Sequence, residues 1–381
     1  MKLFDLFKKK KNEPEPQPRI PEGFTGFEPE EDSDEPKLFV QDTTTMTLDE
    51  AMATLRPDFA PQPRTLSQEE LRNLVLSAVA IGDTAGSQYE GVPYPGQDIQ
   101  TIMSNASSRH QTDANKEGAY PVYEGYKTID LLTEFNHITD DTILTIAIYK
   151  ATQKIKALNL QNEDEMVDMY TKYLRKYHHA YPNAGYAGGF DDWAWSETPS
   201  RNFSYGNGSC MRVSGIAILF DDIDDVIRYS YYSALPSHSH KEGIKGAVCT
   251  AVIYWMLIHG ASKHDVLKYL EQHYPNGGKY DIHAHTTLED LVNINRVNPW
   301  ATVSVICQTS VTESVINFVE STSFEECVRN SYRYMCDRDT IGAISAPMAA
   351  LFYKDLTIQG WNGIEVAQKY LGPKLVEDIN S

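Results

Sequence analysis

Two short acidic clusters, far apart in the chain, constrain the fold more than any other feature: Thr139-Asp140-Asp141-Thr142 and Asp337-Arg338-Asp339-Thr340. Each stands immediately before an apolar stretch with helical spacing. Four carboxylates and several hydroxyls therefore fall at helix N-termini, where the macrodipole and free backbone N–H groups favour negative charge. Taken singly, either cluster is an ordinary N-cap. Adjacent aspartates repel each other unless a cation lies between them. A fold that brings both clusters together makes an all-oxygen site suited to Mg²⁺ or Mn²⁺ rather than Zn²⁺.

The pattern around these clusters is helical throughout. Ser67 and Glu70 form a capping box ahead of Leu71, Leu74, Val75, Ala78 and Val79, which follow helical spacing. Further helices are expected at 141–157, 164–179, 211–231, 242–259, 263–273, 287–295, 301–319, 324–335, 340–353 and 363–371. No sustained period-2 alternation marks a half-buried sheet, so the fold class is all-α, a compact assembly of many helices over residues 65–381. Residues 1–64 differ: Glu13-Pro14-Glu15-Pro16-Gln17-Pro18 precedes Glu28, Glu30, Glu31, Asp32, Asp34 and Glu35. Such a segment buries too little apolar surface to offset its ordering entropy, and it reads as an acidic, Pro-rich extension, disordered or extended. Within it a short helix is expected over Leu48 to Leu55. Phe24, Phe27, Phe39 and Phe59 are anchor points should the arm dock on a partner or on its own domain.

Charge and cysteines bound the function. A formal net charge of −19 lacks the basic footprint of a nucleic-acid binder. Cys210, Cys249, Cys307, Cys327 and Cys336 are scattered without a CxxC pair, which points to a reducing, cytoplasmic compartment. The start of the chain, with Lys8 to Lys11 following a very short apolar run, does not read as a secretory signal. The most apolar stretch, Gly246 to His259, falls short of the roughly 20 apolar residues needed to span a bilayer, so no stable membrane insertion is expected.

Four further segments carry polar chemistry. Gly82-Asp83 and the downstream Glu90 look like the end of a helix followed by a turn, with Asp83 orienting the turn and Glu90 offering a carboxylate. Residues 183–193 form a Gly-rich, aromatic loop able to present backbone N–H groups to phosphates. Asn207-Gly208-Ser209 and Arg212 precede a helix and suit an anion. His238 and His240, two apart, do not share one face of a helix. A joint metal site is disfavoured, and one histidine donating to a ligand oxygen with the other structural fits better.

In this order, Gly82-Asp83…Glu90, Thr139-Asp140-Asp141-Thr142, Asn207-Gly208-Ser209…Met211-Arg212, His238-x-His240…Gly246-Ala247 and Asp337-x-Asp339-Thr340 resemble the ADP-ribosylglycohydrolase family over about residues 67 to 355. The resemblance implies an all-α fold around two Mg²⁺ or Mn²⁺ ions held by Thr139, Asp140, Asp141, Asp337, Asp339 and Thr340. Glu90 matches the family's acidic residue near the scissile bond, and with Asp141 and Asp339 makes up the implied catalytic set. Asp83, Gly185, Gly188, Gly189, Asn207, Gly208, Ser209, Arg212 and His238 are the implied substrate contacts. The implied function is hydrolysis of ADP-ribose from modified protein side chains, most plausibly arginine. The alternative is an immunity-type protein whose N-terminal arm blocks an ADP-ribosyltransferase toxin. Two departures stand out: Met335-Cys336 replaces the family's usual Gly-Gly, and Arg338 replaces a small residue. Pointing outward, Arg338 leaves the centre intact; pointing inward, it would occupy a cation position.

Overall fold

The computed structural model describes residues 44–87, 126–133, 136–275, 282–297 and 304–381. Fourteen α-helices are present among them, and no strands. In chain order they are α1 (Leu48–Thr54), α2 (Gln68–Ser87), α3 (Asp140–Leu158), α4 (Glu163–Ala180), α5 (Gly188–Trp195), α6 (Ser214–Leu219), α7 (Ile223–Ala234), α8 (Lys241–Ile258), α9 (Lys263–His273), α10 (Leu288–Val297), α11 (Cys307–Val319), α12 (Phe324–Asn330), α13 (Arg338–Tyr353) and α14 (Gly363–Asn380). The all-α expectation holds.

Local chemistry explains most boundaries. The Ser67–Glu70 capping box closes reciprocally, with the Glu70 carboxylate accepting from the Ser67 N–H at 2.8 Å. Thr47 with Glu50 and Ser262 with Asp265 do the same for α1 and α9. The single helix expected over 211–231 is two, because Phe220 adopts an extended conformation and Asp222 then caps α7. The last helix continues past 371, bent at Gly372 (φ 71°) before Pro373.

Two expectations at glycines fail for one reason: packing overrides local propensity. Gly82 lies inside α2, and the helix runs on through Gly86 to Ser87. Residues 188–193, read as loop, belong to α5. Its Phe190 and Trp193 are buried, Asp191 meets His178 at 2.7 Å, and Arg175 donates to the carbonyls of Ala194 and Ser196 at its C-terminus.

Gly82 and Gly86 set the central packing. A Cβ on Gly82 would stand 2.1 Å from the Gly342 carbonyl oxygen, one on Gly342 2.3 Å from the Gly82 oxygen, and one on Gly86 2.2 Å from the Asp339 nitrogen. The helices α2 and α13 therefore cross backbone to backbone, and α8 and α11 pack against α13. α8 is buried along most of its length, a core helix as its composition indicated. Residues 44–62 lie along the outside: Thr44 and Thr45 bond to Lys241 and Ser239, Tyr269 donates to the Leu55 carbonyl at 2.8 Å, and Gln62 donates to the His259 carbonyl. Phe59 packs edge-on to Trp255. Phe24, Phe27 and Phe39 lie outside the described residues.

The crossing yields a test. In an open helix Gly→Ala is stabilising by roughly 0.5–1 kcal/mol. Gly82→Ala should instead destabilise by about 3 kcal/mol or more through backbone overpacking. Gly188→Ala, whose Cβ would meet nothing within 4 Å, should stay within about 0.5 kcal/mol of wild type. Urea denaturation of the three proteins measures both.

Candidate metal centre

The crossing of α2 and α13 carries Asp83 and Asp339 to the N-terminus of α3. Carboxylate oxygens of Asp83, Asp141 and Asp339 all lie within 4.8 Å of one another, and all three residues are buried. The two sequence clusters thus meet. Asp140 and Asp141 open α3 behind its cap Thr139; Asp337 caps α13 and Asp339 sits in its first turn. Each N-terminus directs the positive end of its helix toward the carboxylates.

Asp83 organises the first cluster. Its carboxylate accepts from the Thr139 N–H at 2.9 Å, the Thr139 hydroxyl at 2.8 Å, the Thr142 N–H at 3.1 Å and the Thr142 hydroxyl. These bonds hold the 139–142 segment in place, not a turn after Gly82 as its sequence position indicated. Asp141 is the opposite case. Its Oδ2 accepts from the hydroxyls of Thr139 at 3.2 Å and Thr340 at 3.3 Å, while its buried Oδ1 has no hydrogen-bond partner. A buried, partnerless carboxylate oxygen beside two more carboxylates is costly without a cation. The all-oxygen donor set fits a hard divalent ion.

Electrostatics agree. Burial pushes Asp83 up to about 6 despite its four donors. Burial, then the charges of Asp83 and Asp337, push Asp140 up to about 8. Burial and then Asp339 hold Asp141 well above the usual carboxylate range. At the triad's spacing each ionised pair repels by roughly 3 kcal/mol at an effective dielectric of about 20.

The remaining expected residues surround this cluster unevenly. The backbone N–H of Asp140 donates to the Ala184 carbonyl at 2.8 Å, and Gly185 (φ 97°) passes over its side chain. The loop that includes Gly185 thus borders the centre, with Gly188 and Gly189 opening α5 beside it. Asn207 Nδ2 donates to Asp337 Oδ2 at 2.6 Å and to Ser310 Oγ at 3.0 Å. Gly208 lies under the His238 ring, where a Cβ would be 3.1 Å from Nε2. Ser209 turns into the core and donates to the Gly243 carbonyl. Arg212 is fully buried and donates to the Ser233 carbonyl and, at 2.8 Å, to Ser237 Oγ. Ser209 is engaged within the core, whereas Nε and Nη1 of Arg212 are buried with no hydrogen-bond partner among the described residues. Ser237 Oγ also lies 2.8 Å from His238 Nδ1. Ser237 Oγ therefore links Arg212 to His238 Nδ1, while Nε2 is the ring nitrogen on the Gly208 side. His238 is held neutral, well below its usual range, by burial and then by Arg212. His240 caps α8, accepting from the Glu242 N–H, so one histidine is structural as expected.

Arg338 is buried, not outward. Its Nε donates to the Ser331 carbonyl at 3.1 Å and its guanidinium lies 5.5 Å from the Tyr332 ring, turned back along the segment preceding α13. Met335 and Cys336 stand in the same segment, with the Met335 N–H bonded to Asn295. Glu90 lies outside the described residues. One residue was missed: Glu313 on α11, fully buried, its carboxyl held well above the usual range by burial and then by Asp337. A single Glu inside an apolar helix carries no motif.

The family model described as ADP-ribosylglycohydrolase matches residues 68–361. ADP-ribosylhydrolase ARH3 of Mus musculus is 26% identical over 211 residues, 52% of this chain and 51% of that protein. The Homo sapiens ADP-ribosylhydrolase ARH3 is 27% identical over 206 residues, 50% of each. The chain spans about half the length of these curated relatives. A solved ADP-ribosylglycohydrolase-related protein complex aligns over 83% of this chain and 96% of that one, with 18% identity and a TM-score of 0.46.

A pH test follows. Asp140, pushed up to about 8, and Asp141, held well above the usual carboxylate range, keep protons in the fold that the unfolded chain has released. The folded state then binds more protons, so stability falls as pH rises. In EDTA the melting temperature should drop between pH 7 and 8.5. Added Mn²⁺ should raise it more at 8.5 than at 7, as scanning fluorimetry reads directly.

Proposed function

Because the chain belongs to the ADP-ribosylglycohydrolase family, we propose that it is a metal-dependent hydrolase that removes ADP-ribose from modified protein side chains, ADP-ribosyl-arginine first among them. The observation that carries this reading is the buried Asp83–Asp141–Asp339 cluster with its partnerless Asp141 oxygen. Thr139, Asp140, Asp141, Asp337, Asp339 and Thr340 are the proposed ligands of two Mg²⁺ or Mn²⁺ ions, with Asp83 holding the first set in register. Bound divalent ions would supply Lewis acidity toward ribose hydroxyls and an activated water.

The residues of the chain do the rest. The loop with Gly185, Gly188 and Gly189 borders Asp140 and offers backbone N–H groups to the diphosphate. Asn207 fixes Asp337, and Gly208 lets Nε2 of the neutral His238 ring reach a ligand. Water adds to the anomeric carbon as the bond to the side-chain nitrogen breaks, its electron pair leaving with nitrogen through an oxocarbenium-like transition state. Glu90 serves as base for the water or as acid for the leaving group.

Cytoplasmic residence belongs to the same proposal and is supported by the absence of a disulfide among the five cysteines. No helix among the described residues is long and apolar enough to cross a membrane. A toxin-blocking arm gains no support from the comparisons, and residues 44–62 pack on the protein's own helices.

Release of ADP-ribose from an arginine-ADP-ribosylated protein tests the proposal. Release should require Mg²⁺ or Mn²⁺, stop in EDTA, and fall in Asp339→Ala by more than the roughly 10–100-fold that loss of an outer supporting group brings. Release from serine-linked substrate alone would redirect the linkage. No release from either, with either metal, would sink the hydrolase reading.

A further inference from the structure

Behind Asp337 lies a buried polar stripe that no catalytic requirement discussed so far uses. α11 carries Ser310, Glu313, Ser314 and Asn317, spaced to share one face of the helix. All four are fully buried. Ser310 turns that face toward the acidic centre, since its Oγ accepts from the same Asn207 amide that donates to Asp337. About two turns further on, Asn317 Oδ1 accepts from the Tyr334 hydroxyl at 3.1 Å, which ties the face to the segment leading into Asp337. Glu313 lies between these two attachments.

Neither carboxylate oxygen of Glu313 has a hydrogen-bond partner among the described residues. Protonation alone does not resolve this, because a buried carboxylic acid still leaves its O–H and its carbonyl oxygen unmatched. A buried carboxylate needs a positive charge, and among the described residues no basic side chain is paired with it. The centre to which Asp337 belongs lies close enough for Asp337's charge to act on Glu313, and Ser310 on the same helical face shares the Asn207 amide with Asp337.

We propose that Glu313 is a further anionic member of the cation-binding centre, serving its Asp337 side from within the core. This rests on the metal-centre reading given above. Glu313 then acts as a positioning residue: it raises the site's affinity for a divalent ion and steadies Asp337, without touching substrate. The cost of its burial is carried by the metal-free protein and relieved when a cation binds.

Mn²⁺ binding to the full chain tests this by isothermal titration calorimetry, with melting temperatures recorded in EDTA. Wild type should bind Mn²⁺, and Asp339→Ala should lose binding. Glu313→Gln and the apolar, similarly sized Glu313→Met should bind about 10–100-fold more weakly. In EDTA Glu313→Met should melt at or above wild type, because a buried polar group with no partner has been removed. Two variants guard against one failing to fold. Unchanged Mn²⁺ affinity in a folded Glu313 variant, with wild type binding, would overturn the inference alone. A wild type that binds no Mn²⁺ would overturn the metal-centre reading and the inference with it.

Discussion

The close crossing of α2 and α13 is the constraint on which the rest of the structure depends. Gly82 faces Gly342, and Gly86 faces the backbone of Asp339, at separations that leave no room for a single methyl group. Because Asp83 follows Gly82 and Asp339 precedes Gly342 by one turn, the same contact that fills the core sets the distance between their carboxylates. The third carboxylate arrives on α3, held by the four bonds from Thr139 and Thr142 to Asp83. Packing thus places charge where charge alone would not go. Hydrophobic burial on the far faces of these helices supplies the stability that the acidic cluster opposes.

That opposition is arranged unevenly among the acids. Asp83 is saturated with donors, and its carboxylate shifts only to about 6. Asp141 has two weak hydroxyl contacts and one oxygen with none, and it is displaced much further. Donors supplied by the protein mark a group whose task is structural. Donors withheld mark a group waiting for something the chain does not contain. Arg212 is intermediate, with Nη2 bonded to Ser233 and Ser237 and its other two nitrogens unmatched, whereas both oxygens of Glu313 meet nothing.

How much of this was legible in the sequence varies with the range of the interaction involved. Helix starts set by a local cap, such as Ser67–Glu70 and Ser262–Asp265, are visible because all participants lie within four residues. The pairing of the two acidic clusters was legible only through the family resemblance, since by local chemistry each alone is an ordinary N-cap and only the fold joins them. Glycine was the least legible residue. Gly82 and Gly86 carry the local mark of a helix end, yet their purpose is a contact more than 250 positions away in the chain, and only tertiary structure distinguishes the two uses. Residues 188–193 went astray similarly, because the His178–Asp191 contact and the Arg175 cap that hold α5 come from another helix. Arg338 illustrates a third limit. Its type and position were plain, but its direction was set by the Ser331 carbonyl and the Tyr332 ring.

A buried acidic centre and a stable fold make conflicting demands, and the arrangement here resolves them by coupling rather than compromise. Each of Asp141, Asp140 and Glu313 disfavours the metal-free folded state, and each such penalty becomes a gain in affinity when a divalent ion enters. On the proposed metal-centre reading, the free energy withheld from folding favours binding of a cation, since a proton on each carboxyl neutralises charge but leaves the Asp141 Oδ1 unmatched. A centre lined by exposed carboxylates would fold more easily and bind less tightly, because water would already solvate its oxygens. Burial, which the Gly82–Gly342 contact enforces, is what turns a cluster of repelling acids into a site that requires its cation.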